Sequence, residues 1–297
     1  MGESSPFASV VISTHDRPEL LARCLSSLQK VKYPRYEVIV VESASTGAGL
    51  VTARFRVRYV AEPQPGLSRA RNVGARHARG DILAFLDDDT AVDPDWLRAI
   101  VREFEDPSVM AVAGQVLPSA GGIDVWSFRR ADRRVVDRTD QDWFEVTNFG
   151  GIGNGSNLAI RRTAFDVWSG FDERLGTGRL LAGAEENNAF FKLVQLGFRV
   201  VSTPHPIVFH DASGSDLTSE TRSLQAIRYG VAYLLLLLIE ERGYRLRALR
   251  YGLEALVSKR RRWRPAADRA PKPGLVAQLT AVADALAIAI RTSMSRG

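Results

Sequence analysis

Short apolar runs at residues 9–13, 37–41, 57–60, 82–86 and 110–116 alternate with segments whose apolar residues recur at helical spacing. Leu20, Leu21, Cys24, Leu25 and Leu28 form one stripe, Leu67, Ala70, Val73 and Gly74 a second, and Trp96, Leu97, Ile100, Val101 and Phe104 a third. This repeated strand-then-helix rhythm predicts an α/β fold, a mostly parallel sheet flanked by helices. Asp16 and Glu19 have capping-box spacing with Pro18 between them, so the first helix is expected to start there, capped by Asp16. Later helices are expected over residues 163–168 and 185–196, the second ended by Gly197, with strands over 198–202 and 207–209. A helical C-terminal part is expected from about residue 218, interrupted at 265–273.

In such a sheet, ligands lie at the carboxyl ends of the strands. The run Ile82-Leu83-Ala84-Phe85-Leu86 ends there in Asp87, Asp88 and Asp89. Carboxylates crowded at the mouth of a buried strand repel one another unless a cation sits among them. An Asp-x-Asp element can hold a hard divalent cation, which in turn grips nucleotide phosphates. The competing reading is a solvated turn, with Asp93 capping the next helix.

With 297 residues, 45% of them hydrophobic, the chain can bury a substantial core. Its single cysteine, Cys24, excludes an intrachain disulfide and is expected to be a buried thiol, which fits a reducing cytoplasm. Residues 1–7 hold no basic region followed by an apolar stretch, so no signal peptide is expected. Part of the net charge of +6 is concentrated in Lys259-Arg260-Arg261-Arg262-Trp263-Arg264. Such a block attracts phosphates of nucleic acid or anionic lipid, or is a solvated tail. The apolar run at 231–239 is shorter than the about 20 residues of a membrane span, so a buried or interfacial helix is expected.

Several ordered motifs resemble the family 2 glycosyltransferases with the GT-A fold. They are Val10-Val11-Ile12-Ser13-Thr14-His15-Asp16-Arg17-Pro18, Val38-Ile39-Val40-Val41-Glu42-Ser43, Gly66-Leu67-Ser68-Arg69-Ala70-Arg71-Asn72 and Phe85-Leu86-Asp87-Asp88-Asp89. After them come Gly170-Phe171-Asp172-Glu173-Arg174-Leu175-Gly176, Gly183-Ala184-Glu185-Glu186 and Val208-Phe209-His210, so the likeness spans residues 7–210. It implies a Rossmann-like GT-A domain over residues 1–217, with a nucleotide-sugar half at 7–118 and an acceptor half at 119–217. Residues 218–297 would be a helical extension. Within the acceptor half, residues 121–148 are polar and weakly periodic and read as a mobile insertion or acceptor-side segment.

The resemblance also implies the chemistry: transfer of a sugar from a nucleotide-diphosphate donor to an acceptor hydroxyl, with inversion, helped by Mn²⁺ or Mg²⁺. By that likeness Asp89 and His210 would be metal ligands, Asp87 would support the metal or its waters, and Asp88 would contact the donor's ribose or sugar. Ser13, Thr14, Asp16, Glu42, Ser43 and Arg71 would face the nucleotide, although Arg69 and Arg76 leave a solvated basic face as the other reading of Arg71. An inverting displacement needs a carboxylate base. The family's acidic pair is here Glu185-Glu186, with Glu186 at the base position; otherwise the two merely favour a helix N-terminus. Donor base, sugar and acceptor, whether saccharide, lipid-linked or natural product, have no decodable signature. Nucleic acid is not an expected partner, and the C-terminal part permits peripheral contact with the cytoplasmic face of a membrane. A sugar-phosphate nucleotidyltransferase is the alternative enzyme, but the residues after the first strand lack its glycine-rich triphosphate loop. The non-enzymatic alternative is a nucleotide- or membrane-binding protein.

Overall fold

The computed structural model describes residues 5–119, 128–211, 219–257 and 274–295. The basic block at 259–264, the proline-bearing interruption at 265–273 and part of the expected insertion lie outside the described residues. Strands β1 (Ala8–Thr14), β2 (Tyr36–Ser43), β3 (Arg58–Glu62) and β4 (Ile82–Asp87) are parallel neighbours in the order β3-β2-β1-β4. They are joined by α1 (Pro18–Leu28), α2 (Ala48–Thr52) and α3 (Leu67–His77). The chain leaves β1 toward β2 and β3 and later returns to β1's other side as β4. At such a reversal the connections diverge and a crevice opens beyond the strand ends. Successive residues point to opposite faces: Val10, Ile12, Ala84 and Leu86 pack with Leu21, Cys24 and Leu25 of α1, whereas Val11, Leu83 and Phe85 join a second core. Both faces are covered, which is why these strands are apolar throughout.

Beyond β4 the sheet becomes mixed. The chain continues through β5 (Thr90–Val92), α4 (Trp96–Glu103), β6 (Val109–Pro118), β7 (Arg134–Val136), α5 (Trp143–Asn148), β8 (Leu158–Arg161), α6 (Glu185–Gln195) and β9 (Arg199–His210). β8 runs antiparallel between β4 and β6, β9 runs parallel to β6, and β5 and β7 pair antiparallel with β9.

Several local expectations are corrected. Asp16 does not cap α1: it has φ +52°, Arg17 precedes the helix, and no side chain caps it. Instead the Asp16 backbone N–H donates to Ser45 Oγ, so the loop is tied to the end of β2. Asp93 does not cap α4 either; its Oδ1 accepts from the Asp95 N–H in a turn before the helix starts at Trp96. In place of the helix expected at 163–168 there is a 3-10 turn, Arg162–Asp166. The two expected late strands are one, with Pro204 and Pro206 at a register shift where the Pro204 carbonyl accepts from Gln115 and the Pro206 carbonyl from Asn157. The polar stretch before residue 148 also contributes core: Trp143 stacks on Phe191 of α6 at a centroid distance of 5.8 Å. Cys24 is fully buried, as expected.

Three further helices, α7 (Ser219–Glu240), α8 (Arg245–Val257) and α9 (Leu275–Met294), follow. α7 is far longer than its apolar run, and Ala232, Tyr233, Leu236 and Leu237 share the core of Phe190 and Phe191. Tyr233 donates to Asn148 Oδ1 at 2.8 Å. Arg174 bridges Asp172, Glu240 of α7 and the Thr292 carbonyl of α9. By length and composition alone, Ser223–Glu240 and Val276–Met294 could each cross a membrane; 22% of each is buried against the protein.

Candidate active site

The ends of β1, β2 and β4 bring the expected nucleotide residues together. Register pairs Ser13 with Asp87 and Thr14 with Glu42. Thr14 Oγ1 donates to Asp88 Oδ2 at 2.6 Å, and Arg17 reaches Asp88 Oδ1 at 3.2 Å and Asp89 Oδ2 at 3.0 Å. Burial nonetheless pushes Asp88 up to about 6, against the downward pull of Thr14 and Arg17. Arg17 balances part of the charge that the triplet crowds into one turn, a role sequence reasoning missed because the two segments are 71 residues apart.

The β4–β5 turn places Asp89 against the end of β9, where Thr90 pairs with His210. Asp89 Oδ1 is buried, accepts no hydrogen bond and lies 3.5 Å from His210 Nε2. An orphaned carboxylate oxygen beside an imidazole is a donor pair suited to Mn²⁺ or Mg²⁺. Among the described residues no group of three or more His, Cys, Asp or Glu side chains converges as a closed metal cage. The pair therefore suits a cation whose remaining ligands are water and substrate phosphate, the usual arrangement for Mg²⁺.

Arg71 takes a different place from the ones expected, and Asp87 is bonded to it. Arg71 is 1% exposed, neither on a solvated face nor open to a base. Its Nη2 donates to Asp87 Oδ1 at 3.0 Å and its Nη1 to Glu185 Oε1 at 2.9 Å, and it lies over the Phe171 ring. A Cβ on Gly155 would approach its Nη2 to 2.8 Å, so the guanidinium fills a fitted slot. Glu42 is likewise enclosed, not presented to a ligand: it accepts from Ser45 Oγ, the Ala48 N–H and Tyr59 Oη. Burial pushes the Glu42 pKa up, but those bonds together with one from the Gly47 backbone outweigh it, and the net shift is downward. Ser43 Oγ donates to the Gln64 carbonyl. Ser13 Oγ is buried without a partner, and Asp16 is exposed at the mouth of the crevice.

The acidic pair opens α6 behind Ala184, which adopts φ +67°. A left-handed residue without glycine is strained, and here it turns the chain so that both glutamates enter the first helical turn. Glu185 is held by Arg71. Glu186 is half-buried and makes no ion pair among the described residues, and burial, then the charge of Glu185, push it up to about 8. The arrangement gives the site a carboxylate of raised proton affinity and a cation-ready aspartate–histidine pair, with Arg71 bridging Asp87 of the triplet to Glu185.

A family model described as glycosyl transferase family 2 matches residues 9–168, more than half of the chain, which therefore belongs to that family. Glycosyltransferase AglE of Haloferax volcanii is 33% identical over 190 residues, covering 60% of this chain and 60% of that protein. The same organism's glucosyl-dolichyl phosphate glucuronosyltransferase is 27% identical over 186 residues, 57% of this chain and 56% of that one. The chain thus spans about three-fifths of the length of these curated relatives. Among solved structures, mannosyltransferase PcManGT from Pyrobaculum calidifontis, in complex with GDP-Man and Mn²⁺, superposes with TM-score 0.59 at 20% identity, covering 98% of this chain and 76% of that one. Residues 1–349 of S. aureus TarS, in complex with UDP-GlcNAc, give TM-score 0.59 at 16% identity over 97% and 83% of the two chains. The fold is the GT-A fold.

Proposed function

We propose that the chain moves a sugar, with inversion and with the help of a divalent cation, from a nucleoside-diphosphate donor to an acceptor hydroxyl, and that Glu186 is the base. The observation that carries this is the asymmetry of the acidic pair: Arg71 holds Glu185 at 2.9 Å, while Glu186 is left with its proton affinity raised. Glu186 takes the hydrogen of the acceptor hydroxyl, the acceptor oxygen bonds to the anomeric carbon, and the bond from that carbon to the diphosphate oxygen breaks with its electron pair. Asp89 and His210 would hold Mn²⁺ or Mg²⁺, which when bound offsets charge on the departing diphosphate as a Lewis acid. Ser13, Thr14, Asp16 and Ser43 line the nucleotide end, with Glu42 shaping the β2 loop behind them. Asp88 is oriented toward the donor by Thr14 and Arg17. Asp87 supports the site through Arg71.

Of the acceptor classes, a lipid-linked one at the cytoplasmic face of a membrane has most support. One relative is named for a dolichyl phosphate substrate, and of the two helices long and apolar enough to cross a membrane, α9 exposes Val276, Leu279, Leu286 and Ile290. Thermal unfolding with a panel of UDP- and GDP-sugars, with and without Mn²⁺, tests the donor class. A matching donor at about 100 times its Kd adds about 2.7 kcal/mol of stability. No stabilisation by any nucleotide sugar with Mn²⁺ would sink the proposal.

A further inference from the structure

Before the acidic pair the chain makes a loop, Gly176-Thr177-Gly178-Arg179-Leu180, that leans on the start of α3. The Gly176 N–H donates to the Leu181 carbonyl and closes the loop, and the Leu67 N–H donates to the Thr177 carbonyl at 3.0 Å and ties it to α3. Gly176 and Gly178 take left-handed conformations, at φ +93° and +87°, and Gly66 has φ +134°. The contact admits no side chain. A Cβ on Gly178 would stand 3.2 Å from the Gly66 nitrogen, and one on Gly66 would stand 2.8 Å from Arg179 Nε and 3.4 Å from its Nη2. Backbone contacts and bare glycine therefore seat the Arg179 guanidinium against Gly66.

Nothing in the fold answers this cation. Among the described residues Arg179 has no ion-pair partner, and its Nε is shut off from solvent without an acceptor. The carboxylates of the neighbouring elements belong to other arginines: Arg69 pairs with Glu62 and Glu173, and Arg71 with Glu185. A partly buried donor without an acceptor forgoes bonds it would make in water, and an incoming anion restores them. Gly66 lies just beyond the carboxyl end of β3, two residues past Gln64, whose carbonyl accepts from Ser43 at the nucleotide end. The other end of the loop runs into the acidic pair, and a Cβ on Gly176 would stand 3.4 Å from Glu185 Oε2. Ligand bound at the strand ends meets this loop. The planar fork of a guanidinium matches the oxygens of a phosphate.

We propose that Arg179 is a phosphate-binding residue, reaching from the acceptor half of the domain to take an oxyanion of the substrate at the end of β3. Which substrate brings the phosphate rests on the function proposed above, in which the donor carries a diphosphate and a lipid-linked acceptor a phosphate. Its place beside Gln64 and Ser43 favours the donor's diphosphate. Arg179 is a fixed charge of the chain itself, so its share of the affinity does not depend on a divalent cation.

The test is calorimetric titration of the full chain with UDP and GDP, once with Mn²⁺ and once in EDTA, and separately with geranylgeranyl phosphate as a lipid phosphate. Arg179→Gln should weaken the nucleoside diphosphate that the parent binds by about 10–100-fold, the loss that goes with a charge-assisted hydrogen bond, and by a similar factor in EDTA. Arg179→Lys keeps the charge without the fork and should recover part of that loss. Arg179 has no partner in the fold, so the unfolding midpoint of Arg179→Gln should stay at the parent value. Leu180→Ala alters an exposed side chain of the same loop and should bind as the parent does. A loss confined to geranylgeranyl phosphate would keep the phosphate role and assign it to the acceptor. The inference is overturned if Arg179→Gln binds every one of these ligands as tightly as the parent, or if Leu180→Ala loses as much, since the shape of the loop would then be the cause. A parent that binds geranylgeranyl phosphate but neither nucleotide, with or without Mn²⁺, would count against the proposed donor chemistry and leave Arg179 to be judged on the lipid phosphate. A parent that binds none of them overturns both.

Discussion

Adjacent glutamates at a helix start repel each other, and Arg71 makes them unequal by holding Glu185 and leaving Glu186 raised. Glu186→Gln should therefore lower kcat by about 10²–10⁴-fold while donor affinity changes little, because the amide keeps the shape but accepts no proton. Glu185→Gln is the control; if it abolishes transfer and Glu186→Gln stays active, the roles are exchanged. The base works deprotonated, so kcat/KM should climb as pH rises through the neighbourhood of 8, and Glu186→Gln should lose that limb. A parent profile already level at about pH 6 would contradict a raised base. Asp89→Ala should remove the Mn²⁺ dependence of donor binding, read by titrating metal at fixed nucleotide sugar, and unchanged affinity with unchanged dependence would rule Asp89 out. Asp89 and His210 were legible as site candidates because each closes its motif at a strand's end, His210 as the last residue of β9 and Asp89 in the turn after β4. The burial of Arg71 was not, since it depends on Glu185, which lies 114 residues away.

At the scale of the element, α3 works as a clasp between the two halves of the domain. Ser68 donates to the Leu175 carbonyl, Arg69 pairs with Glu62 and Glu173, and Asn72 exchanges two hydrogen bonds with the Phe171 backbone, at 2.8 and 2.9 Å. Asn72→Ala leaves a buried N–H and a buried carbonyl unpaired and should cost about 2–4 kcal/mol, seen as a lower urea midpoint. A midpoint within error of the parent would mean that the clasp contributes nothing. Strands β1 to β4 and β6 and helices α1, α3 and α4 could be placed from hydrophobic period, but the short α2 and β5 could not, because each spans too few residues to show a period. That signal fails at β9, whose prolines suggest a break that Gln115 and Asn157 repair through the proline carbonyls. It also fails at Asp16, where a capping pattern was overridden by the bond to Ser45.

Across the whole molecule, the C-terminal helices are packed onto the catalytic domain, because α7 is part of its core and Arg174 ties α7 and α9 to the Asp172 segment. Sequence indicated a helical extension but not this union, since the alanines of α9 carry no sign of which face they turn inward. Breaking the tie with Arg174→Ala should lower the unfolding temperature, because it leaves Asp172 and Glu240 without their shared cation. An unchanged temperature would mean the extension is held by apolar packing alone. Cys24, the sole cysteine, lies on the buried side of α1 with its thiol pushed well above the ordinary range by burial. The thiolate is the form that reacts with maleimides, so this native sulfur is chemically silent in the folded chain. A cysteine introduced as Leu286→Cys would then be the one labelled position, and a polarity-sensitive dye there would read from its emission colour whether that side of α9 meets water or an apolar partner.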